Sequence, residues 1–162
     1  MAITLCLEVI AQQDEDALVA FFPSDHHYSN CAAFRETVDS GLCLMSEYPQ
    51  SILIVGVEAR YPEVEYGWIE PGRMPVDSLV NPLLRVSRFW EKPTVKDAEE
   101  LHRQECLWNT FVTIGFAGTF LELLQATVPR LTRLLGSNPY VDRLYHEVPA
   151  VDFSKAVADE DT

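Results

Sequence analysis

Five short stretches of the sequence combine polar or charged residues with an adjoining apolar run. They read PSDHH at 23–27, YGWIEPG at 66–72, FWEKP at 89–93, LWN at 107–109 and VDFS at 151–154. In the first stretch, Pro23 ends an apolar run and leaves Asp25 at the end of a predicted strand. A carboxylate at that point can bind a hard cation such as Mg²⁺. A turn or a helix cap is the alternative role for Asp25.

Glu91 and Lys92 form a second group of chemical interest. A carboxylate accepts hydrogen bonds from sugar hydroxyls and an ammonium group binds phosphate, so the pair suits a sugar phosphate. The alternative is an ordinary solvated pair at the end of a strand, which Pro93 would stop.

Four further residues could contribute to such a site. Gly67 interrupts a strand pattern, which indicates either the close approach of another group or a bulge. Trp68 beside it suits stacking on a sugar or packing in the core. Asn109 carries a donor and an acceptor for a sugar hydroxyl, with a turn as the alternative. Asp152 lies between two apolar residues near the end of the chain, where a helix cap is the alternative.

The pattern of apolar residues predicts the elements that must position these side chains. Runs of apolar, β-branched or aromatic residues predict strands at 17–22, 52–57, 66–69, 86–90 and 109–116. Helical spacing predicts helices at 3–13, 31–45, 118–126 and 129–135, and a polar helix after Thr94; Asn30 and Thr94 are the predicted N-caps. The proline-containing segment 72–82 predicts a loop. Alternating strands and helices indicate an α/β fold with a mostly parallel sheet, where ligands bind beyond the carboxyl ends of the strands.

The charge balance limits the partners of the chain. Its 162 residues include 12 lysines and arginines against 25 aspartates and glutamates, a formal charge of −13. Such a surface repels nucleic acid and anionic membranes, so a phosphorylated ligand would need a local cation or a metal ion. No apolar run is long enough to span a membrane, and four scattered cysteines are typical of free thiols in the cytoplasm. We therefore predict one cytoplasmic domain over 1–157, followed by an acidic tail at 158–162.

The order and spacing of the five stretches resemble the sugar-1-phosphate nucleotidyltransferases, and among them the mannose-1-phosphate guanylyltransferase type. That family typically shows PSDH, YGYIEPG, F-x-EKP and LWN-S-G in this order, and the similarity covers about Ile10 to Val157. The resemblance implies a Rossmann-like, GT-A-like fold with a mixed, mostly parallel sheet flanked by helices. It also implies transfer of a nucleotidyl group from a nucleoside triphosphate, GTP in that subgroup, to mannose-1-phosphate, with release of pyrophosphate.

The resemblance also assigns roles to the residues singled out above. It implies that the carboxylates of Asp25 and Asp152 hold a Mg²⁺ ion that bridges the phosphates. The resemblance implies that Asp25 and Lys92 are the catalytic residues. Asp25 would bind the metal ion, and Lys92 would bind the phosphate of the sugar-1-phosphate. The residues that it implies for substrate binding are Gly67, Glu91, Lys92 and Asn109.

The sequence departs from the family pattern at two places. The glycine-rich loop G-G-x-G-x-R, which cradles the triphosphate in the family, has no counterpart among the 7 glycines. We therefore expect an N-terminally truncated domain that lacks the first strand and its phosphate loop, with an unpaired sheet edge at 17–22 or on a neighbouring strand. The S-G that follows Trp-Asn in the family is replaced by Thr110 and Phe111.

Two functions remain open at the level of sequence. The first is the nucleotidyl transfer just described, with the isolated chain binding GTP poorly and turning over little or nothing. The alternative is a non-catalytic sugar-phosphate-binding or regulatory module that pairs with an intact homologue. The oligomeric state is also open, a homo-oligomer included.

Overall fold

The structure, a computed structural model, describes residues 2–76 and 83–129. Its elements in chain order are α1 (Ala2–Gln13), β1 (Leu18–Phe21), α2 (Cys31–Leu44), β2 (Leu53–Glu58), β3 (Trp68–Val76), β4 (Leu83–Trp90), α3 (Val95–Arg103), β5 (Leu107–Phe116) and α4 (Ala117–Thr127). The α/β class with a helix-flanked sheet is confirmed, and each predicted strand has a counterpart. Residues 130–157 of the predicted domain, with most of the predicted helix at 129–135, and the tail at 158–162 lie outside the described residues.

Side-chain caps fix where two of the helices begin. The Asn30 carboxamide accepts a hydrogen bond of 3.1 Å from Ala33 N at the start of α2. The Thr94 hydroxyl accepts one of 3.3 Å from Asp97 N at the start of α3. Each bond satisfies a backbone N–H that has no partner within the helix, so both predicted N-caps are confirmed.

The segment predicted as a loop at 72–82 is partly strand. β3 continues through 72–76 and pairs with β4, which begins at Leu83. The ladder between them is irregular at Pro71 and Pro75, where the register shifts. A proline cannot donate to a ladder but is tolerated at such irregularities, which explains how the two strands accommodate it. Residues 77–82 lie outside the described part.

β5 is the strand that holds the sheet together. β2 pairs along one edge of β5, at Leu107–Asn109 and again at Thr113–Ile114. The opposite edge is shared, because β3 pairs with the first part of β5 and β1 with the last. In the described residues, β1 has no strand partner besides β5.

The direction of the pairing corrects the sequence prediction of a mostly parallel sheet. All pairings between the described strands are antiparallel. β1, β2 and β3 point the same way, but each of them pairs with β5, which runs against them. A buried apolar run predicts burial on both faces of a strand and carries no information on the direction of its neighbour.

Helices cover both faces of this sheet. On one face, α1 and α4 meet β1 in a core that includes Leu7, Phe120 and Leu124 together with Phe21. On the other face, α2 packs against Ile114 of β5. α3 covers Trp68 through Ala98 and Leu101. None of the helices in the described ranges is long and apolar enough to cross a bilayer.

We predict that Glu105→Gly stabilises the fold. Glu105 follows the last turn of α3 with φ of 58°, and its N–H donates to the His102 carbonyl at 3.1 Å. A side chain in this left-handed conformation is strained and glycine is not, so the free energy of unfolding should rise by about 1 kcal/mol. Urea denaturation measures the change. Gln104→Gly is the matched control, because φ is −86° there and the variant should lose stability. A loss of stability in both variants would contradict the account.

Candidate functional site

The backbones of Gly67 and Asn109 meet at the start of β3. Asn109 N donates a hydrogen bond of 2.8 Å to Gly67 O, one step beyond the pairing of Trp68 with Trp108. Gly67 and Asn109 are both buried. This bond brings together two of the residues that the sequence predicts for substrate binding.

Glu91 joins the pair through the space that Gly67 leaves open. A Cβ atom placed on Gly67 would lie 3.2 Å from Glu91 Oε2 and 2.8 Å from Phe89 Cζ. The Phe89 ring is buried, so it has little room to retreat. The close approach predicted from a glycine in a strand pattern is therefore present, and the groups that approach are the Phe89 ring and the Glu91 carboxylate.

Lys92 lies next to this group in a strained conformation. Its φ is 44°, and the buried Pro93 follows it directly. Its ammonium nitrogen is 3.9 Å from Glu65 Oε2, and both side chains are exposed, so the ion pair contributes little to stability. A non-glycine residue in the left-handed region costs about 1–3 kcal/mol, and such strain is frequent at functional sites.

Asn109 takes part in the turn that the sequence left open as its alternative role. Its Oδ1 accepts a hydrogen bond of 3.0 Å from Phe111 N. At this point β5 bulges, because the three residues between Asn109 and Thr113 lie opposite Val55 alone. The Thr110 hydroxyl, which is buried, donates to the Val55 carbonyl at 2.6 Å and closes the bulge. The amide oxygen of Asn109 thus shapes the backbone around the site.

Tyr28 is a half-buried polar neighbour of the bulge that the sequence did not predict. Burial raises the pKa of its phenol, and the interaction with the Thr110 side chain lowers it in part. The phenolic oxygen is enclosed and forms no hydrogen bond of normal geometry. The Tyr28 ring stacks on Phe34 of α2 with centroids 3.7 Å apart. The position of Tyr28 directly after the PSDHH stretch is the one feature of the sequence that could have indicated its place beside the site.

The segment that carries Asp25 runs towards the same bulge. β1 pairs Phe21 with Thr113, so the residues that follow β1 continue along β5 towards Asn109. The His26 ring lies 6.1 Å from the Phe111 ring, which places this segment beside the bulge. The Asp25 side chain is exposed. Four of the five stretches singled out in the sequence therefore lie around one part of β5: 23–27, 66–72, 89–93 and 107–109.

Of the two residues predicted to bind magnesium, the structure describes only Asp25. Asp152, the second predicted ligand, lies outside the described residues. Within the described ranges, no group of three or more histidine, cysteine, aspartate or glutamate side chains is arranged to hold a metal ion. Asp25 offers one exposed carboxylate, a donor that suits a hard cation.

The aromatic residues beside Gly67 have a structural role. Trp68 is fully buried, and its indole N–H donates to the Glu63 carbonyl at 2.8 Å. Its ring lies edge-on to Trp108 at 6.1 Å, and Trp108 in turn contacts Tyr61 and Tyr66. Of the two roles left open for Trp68, packing in the core is the one observed.

The chain is similar to proteins of a known family. Residues 1–129 match the family model described as nucleotidyl transferase. A mannose-1-phosphate guanylyltransferase from Escherichia coli is 25% identical over 122 residues, which is 75% of this chain and 26% of the relative. A protein of the same name from Sinorhizobium fredii is 26% identical over 130 residues, 79% of this chain and 24% of the relative. The chain spans about a quarter of the length of these curated relatives.

Two solved structures share the fold. A mannose-1-phosphate geranyltransferase from Thermus thermophilus superposes with a TM-score of 0.81 at 24% identity, covering 98% of this chain and 46% of that one. A mannose-6-phosphate isomerase from Helicobacter pylori superposes with a TM-score of 0.79 at 19% identity, covering 98% and 63%. At these identities the likeness concerns the fold alone.

We predict that Gly67→Ala destabilises the protein. The added methyl group would overlap Phe89 Cζ at 2.8 Å, and overpacking of this kind costs about 1–3 kcal/mol of the free energy of unfolding. Gly118→Ala in α4 is the matched control, since its Cβ would meet its nearest atoms at an ordinary 3.4 Å. Thermal and urea denaturation of both variants measure the difference. Equal stability of the two variants would show that the space at Gly67 is not constrained.

Proposed function

The chain belongs to the nucleotidyl transferase family, and on that premise we propose that it serves the transfer of a nucleotidyl group to a sugar-1-phosphate. A phosphate oxygen of the sugar phosphate attacks the α-phosphorus of a nucleoside triphosphate, and pyrophosphate leaves with the electrons of the broken bond. The names of the two curated relatives support mannose-1-phosphate and GTP as the substrates.

The observation that carries this proposal is the meeting of Gly67, Glu91 and Asn109 beside Lys92. The Glu91 carboxylate lies against Gly67, the Asn109 backbone binds the Gly67 carbonyl, and Lys92 follows Glu91 in the chain. In the proposed site Glu91 accepts hydrogen bonds from sugar hydroxyls, and the missing side chain of Gly67 lets the Glu91 carboxylate and the Phe89 ring lie close to the main chain. Orienting a substrate in this way is the main contribution a protein makes to phosphoryl transfer.

Lys92 supplies the local positive charge that a phosphorylated ligand needs on this acidic chain. The formal charge of −13 repels a phosphate at long range. The ammonium group of Lys92 is exposed, and its ion-pair partner Glu65 is 3.9 Å away and also exposed. Lys92 can readily leave Glu65 for a bound phosphate, because an exposed ion pair of this kind contributes little free energy.

Magnesium is the second source of positive charge in the proposal. Asp25 and Asp152 would hold the ion, which when bound neutralises charge on the phosphates. Asp25 lies on the segment after β1 that runs beside the β5 bulge. In the proposed site the Asp25 carboxylate lies near the phosphates of the substrates. Glu91 and Asn109 lie near the sugar.

One feature of the sequence favours the second candidate function, a non-catalytic sugar-phosphate-binding or regulatory module that pairs with an intact homologue. Its 7 glycines include no glycine-rich loop that could cradle a triphosphate with backbone N–H groups. We propose that the 162-residue chain binds a sugar-1-phosphate by itself and releases little or no pyrophosphate with GTP.

Calorimetric titration of the chain with mannose-1-phosphate tests the sugar-phosphate site. We predict that Lys92→Gln weakens binding at least about tenfold, because it removes the charge that meets the phosphate. Lys96→Gln is the control, since Lys96 is an exposed lysine in α3 and carries the same charge. Equal affinities for the two variants, or no binding by the unaltered chain, would contradict the proposed site.

A pyrophosphate-release assay tests whether the 162-residue chain catalyses the transfer by itself. The chain is incubated with GTP, mannose-1-phosphate and Mg²⁺, and we expect binding of the sugar phosphate without measurable release. Clear release above a blank lacking mannose-1-phosphate would show that these 162 residues hold a complete catalytic site. That result would exclude the non-catalytic module and would contradict the expected silence of the isolated chain.

A further inference from the structure

Phe111 combines two unfavourable features at the centre of the β5 bulge. Its φ is 60°, in the left-handed region that favours glycine. Its side chain is 41% exposed, whereas Thr110 and Val112 on either side of it are 5% and 0% exposed. A strained backbone and an exposed aromatic ring both cost free energy, so neither is explained by stability of the fold.

The surroundings of Phe111 hold it in this conformation. The Asn109 Oδ1 accepts from Phe111 N at 3.0 Å, and Thr110 Oγ1 accepts from Val112 N at 3.3 Å while donating to the Val55 carbonyl. These buried bonds fix the backbone on both sides of Phe111. The left-handed conformation is therefore imposed by the bulge, and the ring is presented outward as a consequence.

Phe111 contacts both the segment that carries Asp25 and Asn109. Its ring meets the His26 ring, next to Asp25, with centroids 6.1 Å apart and planes at 67°. The Phe111 backbone N–H donates to the Asn109 side chain, and the Asn109 backbone N–H donates to the Gly67 carbonyl. The exposed ring is therefore adjacent both to the segment that carries Asp25 and to Asn109.

We propose that the Phe111 ring is an apolar platform on which the sugar ring of the bound sugar-1-phosphate packs. The proposal rests on the proposed function. The C–H face of a hexose is weakly positive and apolar, and the face of an aromatic ring is weakly negative, so the two pack favourably. The hydroxyl edge of the sugar is left to Glu91 and Asn109. Phe111 thus selects for the sugar portion of the ligand, where the family pattern has a glycine without a side chain.

Titration of Phe111 variants with two ligands tests this role. Phe111→Gly and Phe111→Leu should each raise the Kd for mannose-1-phosphate about five- to tenfold, because both remove the aromatic face. Phe111→Tyr keeps the face and should bind within about twofold of the unaltered chain. Inorganic phosphate, titrated in parallel, should bind all four proteins equally, since it has no sugar to pack on the ring.

Stability is controlled within the same set of variants. Phe111→Gly removes the backbone strain, so any loss of affinity does not come from a strained main chain. Glu105→Gly relieves the same kind of strain away from the site and should leave both affinities unchanged.

The outcomes distinguish this inference from the function on which it rests. Unchanged or tighter binding of mannose-1-phosphate by Phe111→Gly, with the Lys92 dependence intact, would overturn the platform and leave the sugar-phosphate site standing. An equal loss of inorganic phosphate binding would also overturn it, since the ring would then act on the phosphate. If the unaltered chain binds no mannose-1-phosphate, both proposals fail.

Discussion

The hydrogen bonds along β5 are the interaction on which the rest of the structure depends. This strand pairs with β2 on one edge and with β1 and β3 in succession on the other. Because β1 and β3 share that edge, the segments at their site-facing ends converge near Asn109. For this reason Asp25, Gly67 and Asn109 come together, although about forty residues separate each from the next in the chain. Without the β5 ladder, Asp25 and Gly67 would have no fixed relation to each other.

The bulge in β5 turns this meeting point into a shaped site. A regular strand would direct the side chains of Asn109 and Phe111 to the same face with no change of path. In the bulge, three residues of β5 lie opposite Val55 alone. The Thr110 side chain turns inward to the Val55 carbonyl and the Phe111 side chain turns outward. Of the three described non-glycine residues with positive φ, Lys92 and Phe111 lie at the site and Glu105 ends a helix. Strain is thus concentrated where a ligand would be held, which is the pattern expected of a preorganised site.

Local sequence signals predicted most of the elements and failed on relations between them. The caps at Asn30 and Thr94 depend on bonds within three residues, and both were predictable. Gly67 was predictable as a place of close approach, because a missing side chain is visible in the sequence. The antiparallel pairing was not, since an apolar run does not encode the direction of its partner. The left-handed Phe111 was not either, because it is imposed by the buried Thr110 hydroxyl bond to a carbonyl on another strand. The proposed role of Asp152 stays a prediction from the sequence.

We propose that the middle of β5 and the two segments beside it form a single ligand site. Amide chemical shifts of the ¹⁵N-labelled chain, recorded during titration with mannose-1-phosphate, test that claim most directly. The account predicts saturating shifts at Gly67, Lys92, Asn109 and Phe111 with a common affinity, and smaller ones at 25–27. Shifts confined to α1 and α4, or separate affinities for the Gly67 and Phe111 signals, would contradict it.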